Sequence, residues 1–410
     1  MNTLSAAHED TKLAPWFLIG SMALMILFSL EFPRILGWFP FLIGIGTLIY
    51  CRFWIQEKLI IPKTLGLTLL GIIILASTSL IWSEFSSELP VRILKIAGLF
   101  IGGLVLYTSL PNIKIGNHPA LLLLPLAAGA TMFLCSLELI FDLQLYHLSH
   151  GTTRNPNIST AVLNRGIVFQ VLLFFPMLTI IKKSALEENH KKQATVFYCA
   201  LMLIMLALTQ SQSAQLAFVI GTLTYFVFPY KYKPAYKITA ILIAIAIVTT
   251  PFIVKLMFNA IVVDVNSVPW IKEGYAAERL EIWNFVTSYA LKSPVFGHGI
   301  LVTRFIEDFD TKQIFFKAAT VLHPHNFSVQ IWIEFGAIGA LLASALFAFY
   351  LNTISKEKPE DSRLTLAVFI SALTVMAVGY GMWQSWWIGM LFFIASLIAL
   401  IKRLPSNSTP

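Results

Sequence analysis

Charge is what this chain has least of. Aspartate, glutamate, lysine and arginine make up 12% of its 410 residues, against roughly 25% in soluble domains. That scarcity, with 57% hydrophobic residues and a mean hydropathy of +0.76, argues against an ordinary water-soluble protein. Cysteine is scarce too. Cys51, Cys135 and Cys199 fall at or inside apolar runs, and their spacing suits neither a disulfide framework nor a metal site. Low-complexity tracts, repeats and a separate soluble domain are also lacking. No small-residue cleavage site follows the first apolar run, which therefore reads as a retained helix.

What is abundant is long apolar runs near the ~20 residues needed to cross a bilayer. About twelve are expected by hydropathy: 14–31, 35–51, 64–82, 92–110, 119–141, 162–181, 194–209, 213–229, 237–257, 325–350, 364–381 and 384–401. The expected fold class is an all-α polytopic membrane protein. Its expected divisions are spans one to nine (1–257), one large polar loop with amphipathic helices (258–324), then the last three spans and a short tail (325–410).

The net charge of +8 reports topology before it reports any nucleic-acid partner, and none is expected. If the N-terminus is cytoplasmic, the inner loops collect Arg52, Lys58, Lys63, Lys114, Lys182, Lys183, Lys191, Lys192, Lys231, Lys233, Lys237, Lys356, Lys358 and Arg363. The short outer loops keep little beyond Arg34 and Arg154. Both termini are then inside and 258–324 is outside. Trp383, Trp386 and Trp387 cluster at an outer helix end, as an aromatic belt or as the lining of a lipid-facing groove.

Within the polar loop, Ile282, Phe285, Val286 and Tyr289 recur at i, i+3, i+4, i+7, the apolar face of a helix lying on the outer surface. Ser293-Pro-Val-Phe-Gly-His-Gly299 ends that helix. Arg279 shares a face with Ile282, Trp283 and Val286, so it faces protein or headgroups. Its planar fork suits phosphate oxygens; a structural ion pair is the plainer reading.

Next comes His323-Pro-His325. Pro324 suits the first position of a helix, with His323 capping it and His325 in the first turn. An outward helix N-terminus attracts phosphate and disfavours a protonated histidine. A neutral imidazole there is able to accept a proton near pH 7; an interfacial, hydrogen-bonded histidine is the alternative. Glu334, nine residues on, would face the other way and reads as structural. Arg165, at the outer end of the sixth span, and the Ser211-Gln212-Ser213 hairpin share that membrane level. Lys95 sits in the outer turn of the fourth span. For both Arg165 and Lys95, headgroup snorkelling competes with function. Asp308-Phe-Asp310 has the Asp-x-Asp form of some metal-dependent sugar transferases, but such triplets arise by chance in polar loops, and no metal is expected.

Glu278-Arg-Leu-Glu-Ile-Trp283, Pro294-Val-Phe-Gly-His-Gly299 and His323-Pro-His-Asn-Phe-Ser-Val-Gln-Ile-Trp-Ile-Glu334, followed by Gly336 and Gly339, stand in this order. The set resembles the O-antigen ligase and O-antigen polymerase superfamily of bacterial inner-membrane proteins, which share these motifs, and a ligase is the leading expectation. The resemblance implies a GT-C-type glycosyltransferase that needs no cofactor. Its donor would be a glycan on undecaprenyl diphosphate, its acceptor lipid A–core, and its active site would face the periplasm. Polymerases and protein O-oligosaccharyltransferases share the chemistry; a transporter or flippase of lipid-linked glycans is the different-class alternative. The resemblance also implies that Arg279 holds the diphosphate and that His325, with His323 as alternate, is the general base. Ser211, Asn326 and Glu334 are supporting candidates. Many relatives carry an arginine where this chain has Gln212, and Arg165 is the expected substitute.

Overall fold

The computed structural model describes residues 2–56, 59–85, 87–113, 115–116, 118–152, 158–269, 275–306, 315–316 and 320–405. Asp308 and Asp310, together with Lys58, Lys114 and Arg154, lie outside the described residues. The helices are α1 (Asn2–Phe28), α2 (Phe39–Tyr50), α3 (Lys63–Thr78), α4 (Leu89–Ser109), α5 (Leu123–Ile140), α6 (Gln144–Ser149) and α7 (Asn164–Lys183). They continue with α8 (Glu188–Leu208), α9 (Gln212–Val227), α10 (Lys233–Ser267), α11 (Ala276–Ala290), α12 (Phe327–Ile354), α13 (Pro359–Val378) and α14 (Ser385–Arg403). No strand occurs among the described residues. The helix ends follow local chemistry. Pro40, Pro234 and Pro359 open α2, α10 and α13, where a missing N–H costs nothing. Lys402 and Arg403 close α14, against the negative end of its dipole.

Nine helical stretches among the described residues are long and apolar enough to cross a membrane. The expected runs 14–31, 35–51 and 213–229 fall on shorter helices, Pro15–Phe28, Phe39–Phe53 and the 16-residue α9. Helix α10 has 35 residues, about 50 Å at 1.5 Å each, more than the ~30 Å hydrocarbon core. It therefore continues into the stretch expected to be loop. Its exposed face carries Ile241, Leu242, Ile245, Phe252 and Leu256, side chains that suit lipid and not water.

The described chain divides into two compact units. The first comprises 1–67, 98–218 and 385–410. Helix α7 is its centre, buried continuously from Gly166 to Met177, the pattern of a helix surrounded on all sides. Thr131 of α5 donates to the Ile26 carbonyl of α1 (3.2 Å), and Lys183 donates to the Ile401 carbonyl of α14 (3.0 Å). The second unit comprises 68–97 and 219–384. There α10 packs on α11 and α12. Trp332 of α12 donates its indole N–H to the Ile247 carbonyl of α10 (2.9 Å).

Helix α12 is broken at Gly336, whose φ is 60° and ψ −152°. The chain at 294–299 takes up the backbone groups that the break releases. His298 and Gly299 N–H donate to the Ile333 and Glu334 carbonyls (2.8 and 3.0 Å), and Ala337 N–H donates to the Pro294 carbonyl (2.8 Å). A Cβ on Gly336 would stand 2.5 Å from the Val295 oxygen, and one on Gly297 2.5 Å from the Phe335 nitrogen. These two glycines are therefore required by close backbone contact and positive φ together.

Candidate active site

Three expectations about local geometry change. First, α12 begins at Phe327, not at Pro324. Its N-cap is Asn326, whose side-chain oxygen accepts from Ser328 and Val329 N–H (2.9 and 3.0 Å). An asparagine two residues beyond the proline is the stronger cap, because its oxygen reaches two of the free helix N–H groups. His325 thus precedes the helix. It adopts a left-handed φ of 58°, which costs a non-glycine residue about 1–2 kcal/mol. Strain of this kind concentrates at functional sites.

Second, the Trp383 indole is not part of an aromatic belt. It donates to Glu334 Oε2 (2.6 Å), while Trp386 and Trp387 are buried. Third, α11 is not merely laid on a surface. Ala277, Leu280, Glu281, Ile282, Val286, Thr287 and Ala290 are buried in the second unit. Glu281 accepts from Phe315 and Phe316 N–H (2.9 and 2.7 Å), tying the loop to α11.

The site forms where α13 ends. The Arg279 guanidinium donates to the Val378 carbonyl (2.8 Å). The next carbonyl, Gly379, pairs with His325 Nδ1 (2.6 Å). A carbonyl only accepts, so Nδ1 carries the proton and Nε2 is the acceptor of that ring. Burial, with the nearby Arg279 charge adding to it, pushes the His325 imidazole below its usual value, although the Gly379 bond pulls the other way. Burial also lowers the Arg279 guanidinium, with Tyr380 and Glu278 opposing. Arginine starts so high that it stays charged.

His323 lies beside His325, ring centroids 4.2 Å apart. The Gln384 amide donates to His323 Nε2 (2.6 Å), so that lone pair is already engaged. Gly381 packs against the His323 ring, 2.6 Å from where a Cβ would stand. Beneath this loop, Gln330 accepts from Met382 N–H (3.0 Å) and donates to Glu334 Oε1 (2.8 Å). Glu334 is fully buried and couples α12 to the 379–384 loop through Gln330 and Trp383.

The structure thus brings Arg279, His323, His325, Asn326 and Glu334 into the second unit. Arg165, Ser211 and Gln212 lie in the first. There Arg165 stands over the Trp386 ring, 5.6 Å from its centroid. Gln212 opens α9, and Ser211 is buried beside it. Gln215 secures the hairpin by donating to the Leu206 and Thr209 carbonyls (2.9 and 3.0 Å).

An arginine on α11, two histidines just before α12 and a buried acid within α12 invite comparison with known proteins. Residues 197–344 match the Wzy_C family model, described as O-Antigen ligase. The matched stretch holds Gln212, Arg279, His323, His325 and Glu334, and ends before the carbonyls of Val378 and Gly379. Two proteins named "Putative polysaccharide ligase" are similar. One, of Rickettsia conorii, is 30% identical over 223 residues, 53% of this chain and 54% of the relative. The other, of Rickettsia felis, is 26% identical over 264 residues, 62% of this chain and 63% of the relative. The chain thus spans about half to three-fifths of the length of these relatives.

Gly379, Gly381, Gln384, Gln330 and Trp383 were not singled out from the sequence as parts of the site. The Gly-x-Gly at the end of α13 was the available signal, since two glycines beside a helix terminus mark close backbone approach.

Proposed function

We propose that this protein is a membrane glycosyltransferase of the O-antigen ligase kind. It would transfer a glycan from undecaprenyl diphosphate to a sugar hydroxyl of lipid A–core at the periplasmic face of the bacterial inner membrane. The observation that carries this reading is the anchoring of Arg279 and His325 on consecutive carbonyls, Val378 and Gly379. One backbone corner then orients a fixed cation and a neutral base together.

In this reading His325 Nε2 takes the acceptor hydroxyl proton while the oxygen attacks the anomeric carbon. The bond to the diphosphate breaks in the same displacement, and the configuration inverts. Negative charge grows on the leaving diphosphate, and the Arg279 guanidinium stabilises it there. His325 is preferred to His323 because Gln384 already occupies the His323 Nε2 lone pair. Arg165 and Gln212 are proposed as further phosphate ligands. No cofactor or metal takes part in the proposed steps.

The break in α12 favours a transporter, since interrupted spans bind cargo in that class. Here the freed carbonyls of Ile333 and Glu334 are already bonded to His298 and Gly299 N–H, which favours a structural role for the break. The test is purified protein with lipid-linked glycan and lipid A–core. Coupled product of inverted configuration, without an energy source, supports the reading; retention or absence of product refutes it. The lipopolysaccharide profile of a deletion strain then separates ligase from polymerase. Uncapped core alone indicates a ligase, and core bearing a single repeat indicates a polymerase.

A further inference from the structure

A second group of cations lies in the same unit as the histidines, and the steps above do not use it. Arg304 lies within the short turn Val302–Phe305. Phe305 stacks on Phe85 (4.7 Å, 15°), and Ile300 N–H is held by Ser79 Oγ (3.1 Å). These contacts seat the 299–306 segment on the chain that leads into α4. Arg92 is in the first turn of α4, close enough for its charge to act on Arg304. Lys95 follows at i+3, on the same side of the helix.

Among the described residues, Glu88 and Glu334 act on this group. Glu88 approaches Arg92 only to 4.0 Å, and both are substantially exposed, so the pair contributes little. Glu334, also near enough to act on Arg304, has both carboxylate oxygens bonded, to Gln330 and Trp383. Arg304 Nε is buried and has no hydrogen-bond partner among the described residues. A buried guanidinium N–H without an acceptor is costly, and a second arginine beside it adds repulsion. Burial and the Arg92 charge both push the Arg304 guanidinium down. An anion bound between the two arginines would relieve both penalties at once.

We propose that Arg92 and Arg304 form a phosphate-binding subsite for the acceptor glycolipid, separate from the diphosphate site at Arg279. The proposal rests on the transferase reading. Hydrogen bonds span part of the distance between the two places. His323 meets Gln384, the adjacent Trp383 bonds Glu334, and Glu334 lies in the field of Arg304. A phosphate held at Arg304 would therefore register the acceptor relative to the base. Planar guanidinium forks suit phosphate oxygens better than lysine does, so Lys95 is assigned a supporting charge only.

The experiment uses the full-length protein in phosphatidylcholine nanodiscs, with intact lipid A–core and phosphatase-treated lipid A–core as probes. The wild type should bind the phosphorylated probe about tenfold more tightly or better, the scale of one charge-assisted contact pair. In Arg92→Gln and in Arg304→Gln that ratio should fall to about one. Arg92 is partly exposed, so its variant reports even if Arg304→Gln fails to fold. A ratio near one in the wild type, or an unchanged ratio in a folded variant, overturns the subsite. If phosphatidylglycerol in the disc abolishes the ratio at equal phosphate concentration, the site takes any lipid phosphate and the acceptor assignment is overturned. Absence of glycan transfer to either probe refutes the transferase reading instead, since the binding ratio is read without turnover.

Discussion

His325 unites an unfavourable backbone with a defined proton arrangement. Its left-handed φ is one that asparagine tolerates better than most residues. His325→Asn should therefore fold while losing transfer by about 10²–10⁴-fold, the usual contribution of a positioned base; folded yield and turnover measure the two effects. The pH dependence follows from the sign of the shift. Burial and Arg279 hold the imidazole below its ordinary value, so the neutral base persists as the pH falls past ~6.5. The acid limb of kcat/KM should lie below that pH. Arg279→Gln removes one depressing charge, so the His325 titration should move up. NMR of the labelled imidazole reads this even if the variant is inactive; a downward or absent shift would contradict the proximity of the two groups. Gly381→Ala should displace the His323 ring that packs beside His325 and lower turnover, measured with purified protein.

Helix α12 carries the site at its start and a break one-third of the way along. The break is closed by 294–299, so the Pro-Val-Phe-Gly-His-Gly stretch acts as a backbone splint. Gly336→Ala combines positive φ with a carbonyl 2.5 Å from the new Cβ. It should cost at least ~2 kcal/mol and lower the thermal midpoint in detergent. Glu334 acts at the same level. Glu334→Ala strands the Gln330 amide and the Trp383 indole N–H, at about 1–3 kcal/mol each, whereas Glu334→Gln keeps an acceptor and should cost less. Equal midpoints for the alanine variant and the wild type would remove Glu334 from its coupling role.

For the whole molecule, nine spans before 258–324 and three after it would put that stretch opposite both termini. A cysteine introduced at Tyr275, which is exposed, should then react with a membrane-impermeant maleimide in intact spheroplasts, and one introduced near Lys402 should not. Hydropathy alone determined the all-helical membrane class, because each apolar run must satisfy its own backbone in lipid. The periodic Ile282 and Val286 likewise located α11, and the ordered Arg279, His323 and His325 marked the proposed candidate site. Only the tertiary structure decided how that site is built. Val378 and Gly379 are about 100 and 54 positions from their partners Arg279 and His325 in the chain, and no local pattern encodes which carbonyl a distant side chain will meet. The start of α12 was misread for a related reason. Proline and asparagine both signal a helix N-terminus, and the cap is Asn326, with His325 bonded to Gly379 at the end of α13. The tryptophans near 383–387 look interfacial by composition, and only packing shows that Trp383 serves a buried carboxylate.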